Sequence, residues 1–83
     1  MKIRIRYFAA LREALGPQEE LDCEPGVTVS QIRDRLVARG TPYADVLATH
    51  RLVRCAWNQH MCELNHAVTS EGELAFFPPV TGG

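Results

Sequence analysis

Two sets of residues in this 83-residue chain carry groups able to do chemistry. One is thiol and imidazole: Cys23, Cys55 and Cys62, with His60 and His66 near the last two. The other is the closing stretch 75–83, "AFFPPVTGG", which ends on a Gly-Gly carboxylate. Gathered around a metal, Cys55, His60, Cys62 and His66 would offer soft ligands, but the paired CxxC spacing of zinc knuckles is absent. An odd number of cysteines at irregular spacing also argues against a disulfide framework. No metal is therefore expected, and the thiols read as free and mostly packed.

The closing stretch points to a different chemistry. Pro78 and Pro79 halt a strand and pre-extend the chain, leaving little entropy to lose. Gly82 and Gly83 have no Cβ, so they can pass a constriction and accept whatever φ it imposes. A carboxylate on such a tether is suited to entering another protein's active site. Gly83 bears that carboxylate, and Pro78, Pro79, Val80, Thr81 and Gly82 make up the tail that would deliver it.

A tail of this kind needs a scaffold, and the chain is long enough for one small domain. At 46% hydrophobic and 23% charged residues, with a formal net charge of −1, it reads as an ordinary globular protein. That charge favours neither nucleic acid nor an anionic membrane surface as a partner. No stretch approaches the roughly 20 apolar residues of a membrane span, and no signal-peptide core follows Met1. A cytoplasmic location is expected. The domain is assigned to residues 1–78 and an extended, flexible tail to 79–83.

Period-two alternation in "KIRIRYF" marks a first strand, with Ile3, Ile5 and Tyr7 on one face and Arg4, Arg6 and Phe8 on the other. "AALREALGP" gives a short helix closed by Gly16, and "EELDCE" a second strand ended at Pro25-Gly26. Thr28 and Gln31 form a capping box that opens the main helix. Val29, Ile32 and Leu36 face the core from it, and Arg33, Asp34 and Arg35 take solvent. "YADVLA" reads as a helical turn, "RLVRCAWN" as a strand, Met61–Cys62 as a brief strand after the Asn58-Gln59 turn, and "ELAFF" as the last strand. The architecture expected is α+β, a roll in which one helix covers one face of a mixed sheet. Ile3, Ile5, Tyr7, Val53, Cys55, Trp57, Leu74 and Phe76 fall on the covered face. Arg4, Arg6, Arg54, Ala56, Phe8 and Phe77 fall on the other. Phe8 and Phe77 are therefore candidates for an exposed contact site unless the loop at 41–50 shields them.

This β-β-α-β-β order with a Gly-Gly end resembles the ubiquitin-like β-grasp family. More narrowly, "AFFPPVTGG" resembles the terminal signature of the sulfur-carrying small subunit of molybdopterin synthase. The likeness extends to "YFA", "LRE", "TVSQIRDRL" and "WNQ", and so to nearly the whole chain. In "NHAVTSEGELAFF" that family often has Asp, Pro and a second Asp where Asn65, Ala67 and Ser70 stand, a departure confined to a turn. The resemblance implies that an E1-like adenylating enzyme uses ATP to adenylate the Gly83 carboxylate. A sulfur donor of cysteine desulfurase or rhodanese type then makes the thiocarboxylate. The large synthase subunit, in a heterotetramer, receives the tail, whose sulfur passes to cyclic pyranopterin monophosphate. No cofactor is bound permanently, and catalytic side chains belong to the large subunit. By the same resemblance Met61 joins Phe8 and Phe77 in the partner-docking patch. Two alternatives share these features: another β-grasp carrier, for thiazole synthesis or protein conjugation, and a stand-alone interaction module indifferent to loss of Gly83.

Overall fold

The computed structural model describes residues 1–79. Strand β1 (Lys2–Tyr7) enters the core with Ile3, Ile5 and Tyr7 buried, as its alternation requires. Helix α1 (Ala9–Leu15) follows and ends at Gly16, whose φ of 89° lies in the left-handed region that glycine tolerates. Strand β2 (Gln18–Asp22) returns antiparallel to β1, pairing Ile3 with Leu21 and Ile5 with Glu19. A short strand β3 (Val27–Thr28) leads directly into α2 (Val29–Val37). The Thr28 hydroxyl accepts the Gln31 N–H at 3.1 Å, and the Gln31 side-chain oxygen accepts the Thr28 N–H at 2.9 Å, completing the capping box.

Helix α3 (Tyr43–Leu47) packs against α2 and α1, and its Leu47 is fully buried. The chain then forms β4 (Arg54–Trp57) and β5 (His60–Cys62), an antiparallel hairpin turned through Asn58 and Gln59 at φ of 49° and 70°. Strand β6 (Ala67–Val68) pairs with β3 in a separate two-stranded sheet that the sequence pattern did not reveal. The last strand, β7 (Gly72–Phe77), lies between β1, to which it is parallel, and β4, to which it is antiparallel. The main sheet is thus ordered β2-β1-β7-β4-β5. Its first and last strands occupy the centre.

One core joins the sheet to the helices. Ile3, Ile5, Tyr7, Cys55, Leu74 and Phe76 meet Val29, Ile32 and Leu36 of α2, Leu11 of α1 and Leu47 of α3, with Val53 and Trp57 packed at the edge. The segment at 41–50 therefore belongs to the helical layer. Arg33, expected in solvent, is instead buried at 3% exposure. Its Nε–H donates to the Leu47 carbonyl at 2.6 Å, and Nη2 donates to the carbonyls of Ala48 and Arg51 at 2.6 and 2.7 Å. Helical spacing put Arg33 beside the apolar stripe; the loop after α3 closes over it and supplies the acceptors. Glu19 ties a second corner together, accepting hydroxyls from Tyr7 and Tyr43 at 2.9 Å each and the Arg39 guanidinium at 2.6 Å.

Candidate functional site

The open face of the sheet gathers at the root of the tail. Parallel register sets Tyr7 beside Phe76, and the Phe8 N–H donates to the Phe76 carbonyl at 3.2 Å, so Phe8 lies alongside Phe77. Phe8 is also the N-cap of α1, and Ala9 at φ 54° turns the chain sharply after it. Together with Ala56 and Ala75, the two phenylalanines line one shallow concavity, bordered by Arg6, Gln59 and Glu73. The Arg6 guanidinium lies 5.1 Å from the Phe8 ring centre and 3.8 Å from the Glu73 carboxylate. Ring and carboxylate hold the one cation between them.

Exposure differs across this patch. Phe8 is 37% exposed and Met61 61%, whereas Phe77 is half-buried rather than free. Met61 pairs across from Ala56 on the same sheet face, yet it borders neighbouring grooves and not the Phe8–Phe77 concavity. One of these grooves is lined by Leu52, Arg54, Met61, Leu64 and Pro79, with Cys55 and Cys62 at its inner side. Leu52, at 80% exposure, is the most exposed of the large apolar residues described and was not among the contact residues expected from the sequence. The strand read from "RLVRCAWN" begins only at Arg54, so Leu52 lies in the segment before it. Pro78 and Pro79 are half-buried against this end of the sheet, so the tail's root is seated before the chain leaves it. Val80, Thr81, Gly82 and Gly83 lie outside the described residues.

The thiols are free: Cys23 and Cys55 are buried and Cys62 is half-buried. Burial, with hydrogen bonding to Cys62, pushes the Cys55 thiol up to about 12, so it is neutral at ordinary pH. Among the described residues no three His, Cys, Asp or Glu side chains converge as a metal site requires, and no helix is long and apolar enough to cross a membrane.

A mixed sheet in this strand order, gripping α2 across one face and releasing its last strand beside a paired-aromatic patch, defines a β-grasp domain of the ubiquitin-like kind. The chain belongs to the ThiS family, whose model matches residues 5–83. It is 35% identical over 81 residues to the molybdopterin synthase sulfur carrier subunit of Escherichia coli, covering 98% of this chain and 99% of that one. Among solved structures it resembles small archaeal modifier protein 1 of Haloferax volcanii, with a TM-score of 0.76, 27% identity and coverage of 95% and 98%. The fold also matches a chain in the complex of subunits 1 and 2 of molybdopterin-converting factor from Helicobacter pylori, with a TM-score of 0.67 at 18% identity, covering both chains fully.

Proposed function

We propose that this protein is the sulfur-carrying small subunit of a molybdopterin synthase, inactive alone and working through its C-terminal glycine. One observation carries the reading: a likeness to a sulfur carrier subunit that covers the whole chain, with the family match running through the Gly-Gly end. In this scheme the Gly83 carboxylate attacks ATP on an E1-like enzyme, giving the acyl-adenylate and pyrophosphate. The outer sulfur of a persulfide on a desulfurase- or rhodanese-type donor then attacks the acyl carbon and displaces AMP, and a thiol cleaves the resulting acyl disulfide to leave the thiocarboxylate and a disulfide. The large subunit receives the tail, and the sulfur passes to cyclic pyranopterin monophosphate. The open sheet face serves each partner in turn. Phe8 and Phe77 fix where the tail begins, Met61 extends the contact across β5, and the reach from Pro79 to Gly83 places the carboxylate.

The test is an intact mass after incubation with the adenylating enzyme, ATP and a sulfur source. Replacement of one oxygen by sulfur at the terminus is expected, together with loss of that gain when Gly83 is deleted. An unchanged mass with a competent enzyme would remove the carrier role. The likeness to small archaeal modifier protein 1 favours one other reading, conjugation of Gly83 to lysine. An isopeptide-linked Gly83 recovered from cell extract would select it over sulfur delivery.

A further inference from the structure

The core-facing side of the β4–β5 hairpin sets Cys55 and Cys62 opposite one another as partners in the antiparallel register. Their sulfurs are 3.5 Å apart, with the Cys62 thiol donating to Cys55 Sγ and the Cys55 thiol donating to the Cys62 carbonyl at 3.3 Å. Cys55 is 3% exposed and Cys62 half-buried, and both line the groove that carries Leu52, Met61 and Pro79. Cys62 is thus the more exposed of the two residues, and the Cys55 sulfur stands in contact with it. Directly opposed residues on antiparallel strands have Cα atoms about 4.5–5.5 Å apart. That separation lies within the span of a disulfide. With the sulfurs already 3.5 Å apart, the bond can therefore close with side-chain rotation and a small approach of the two strands.

We propose that Cys55 and Cys62 form a dithiol–disulfide couple that reacts with low-molecular-weight disulfides through this groove, Cys62 attacking first and Cys55 resolving. The Cys62 thiolate attacks one sulfur of the small disulfide RSSR; a mixed disulfide forms on Cys62 and RS⁻ leaves. Cys55 then gives up its proton and attacks Cys62 Sγ, forming the Cys55–Cys62 bond and expelling the second RS⁻. Two protein thiols are oxidised, one small disulfide is reduced, and the two protons released convert both leaving groups to RSH. Position sets the order. Burial raises the Cys55 thiol above its ordinary range, which makes it the poorer first nucleophile. Once Cys62 holds the mixed disulfide, Cys55 already touches the sulfur it must attack. Cys23 stands apart, buried, with its backbone N–H donating to the Met1 carbonyl. The couple leaves Gly83 free for its own chemistry, and in the oxidised state it ties the strand bearing Met61 to β4.

The reduced full chain, incubated with oxidised glutathione, acid-quenched, unfolded and alkylated, reports the outcome by peptide mass mapping. Expected are a Cys55–Cys62 cross-linked peptide, alkylated Cys23 and no retained glutathione. Cys55→Ala should stop at a glutathione adduct on Cys62, and Cys62→Ala should stay unmodified over the same interval. Cys55→Val, which refills the core, guards against a folding defect and should behave as Cys55→Ala. Three alkylated cysteines in the parent, a disulfide through Cys23, or equal glutathione uptake by Cys55 in Cys62→Ala would each overturn the proposal.

Discussion

Replacing Arg33 by Ala removes a buried guanidinium, three hydrogen bonds to carbonyls and an apolar stem in one step. A hydrogen bond to a charged group contributes a net 1.5–3 kcal/mol, so three would sum to roughly 4–9 kcal/mol. Opposing them is the desolvation of a cation that makes no ion pair among the described residues, itself about several kcal/mol. The two terms largely cancel, and what truncation leaves behind decides the result. The Leu47 carbonyl belongs to a fully buried residue and stays unpaired, at a cost of about 1–3 kcal/mol. Those of Ala48 and Arg51, on half-buried and exposed residues, can turn to water. The lost methylenes add about 0.8 kcal/mol each, or roughly 2 kcal/mol for the stem. Arg33→Ala should therefore lose about 4 kcal/mol, a third or more of the roughly 4–12 kcal/mol expected for a domain of this length.

Arg33→Met separates the two contributions. It keeps the stem and should lose only about 2 kcal/mol, the cost of the orphaned carbonyl. Urea unfolding followed by fluorescence of the single tryptophan, Trp57, measures both variants. Losses below about 1 kcal/mol in both would refute the reasoning, since the loop carbonyls would then have found other donors.

Burial alone would raise the Glu19 carboxyl, but hydrogen bonds from Arg39, Tyr7 and Tyr43 outweigh it and hold its pKa below the ordinary value of 4.5. Its contribution is complete above that value and fades as pH falls through the depressed one, so the gap between the parent and Glu19→Gln should narrow steadily as pH is lowered below 4.5. A gap constant with pH in urea titrations would contradict that linkage. If the proposed synthase role holds, Phe77→Asp should weaken binding to a large synthase subunit by more than about 30-fold, roughly 2 kcal/mol. Because Phe77 is half-buried, about 1 kcal/mol of folding stability should go as well. Calorimetry for binding and a melting curve for folding separate the two, and normal binding with a much lower melting point would make Phe77 a core residue only.

Local signals carried most of the fold. Alternation in "KIRIRY" gave the buried face of β1, and Thr28 with Gln31 marked the start of α2 through bonds spanning three residues. What escaped was non-local. Arg33 flanks the apolar stripe, and its side was decided by carbonyls 14 to 18 residues further on. The β3–β6 pair is two residues wide on each strand, too short for any period to register. At the site, alternation put Phe8 and Phe77 on the open face, and the parallel pairing of β1 with β7, which no local pattern encodes, sets them side by side. Leu52 and the groove beneath it depend on how an irregular loop lies, which residue types alone do not encode. Proline and glycine chemistry marked the tail itself, whose last four residues fall outside the described structure.

Placing β7 at the centre of the sheet has a mechanical consequence. Strands β1 and β7 run parallel, joined from Ile3–Gly72 to Tyr7–Phe76. A force drawing the chain outward at Phe77, with the start of β1 as the opposing anchor, pulls these strands lengthwise past one another. The evenly spaced bonds of a parallel pair then bear the load together. The β4–β5 hairpin, pulled open from its free ends, would instead unzip rung by rung. A pull on the end of β7 therefore loads the β1–β7 pair in shear rather than peeling it apart, the loading direction in which a strand pair resists separation best.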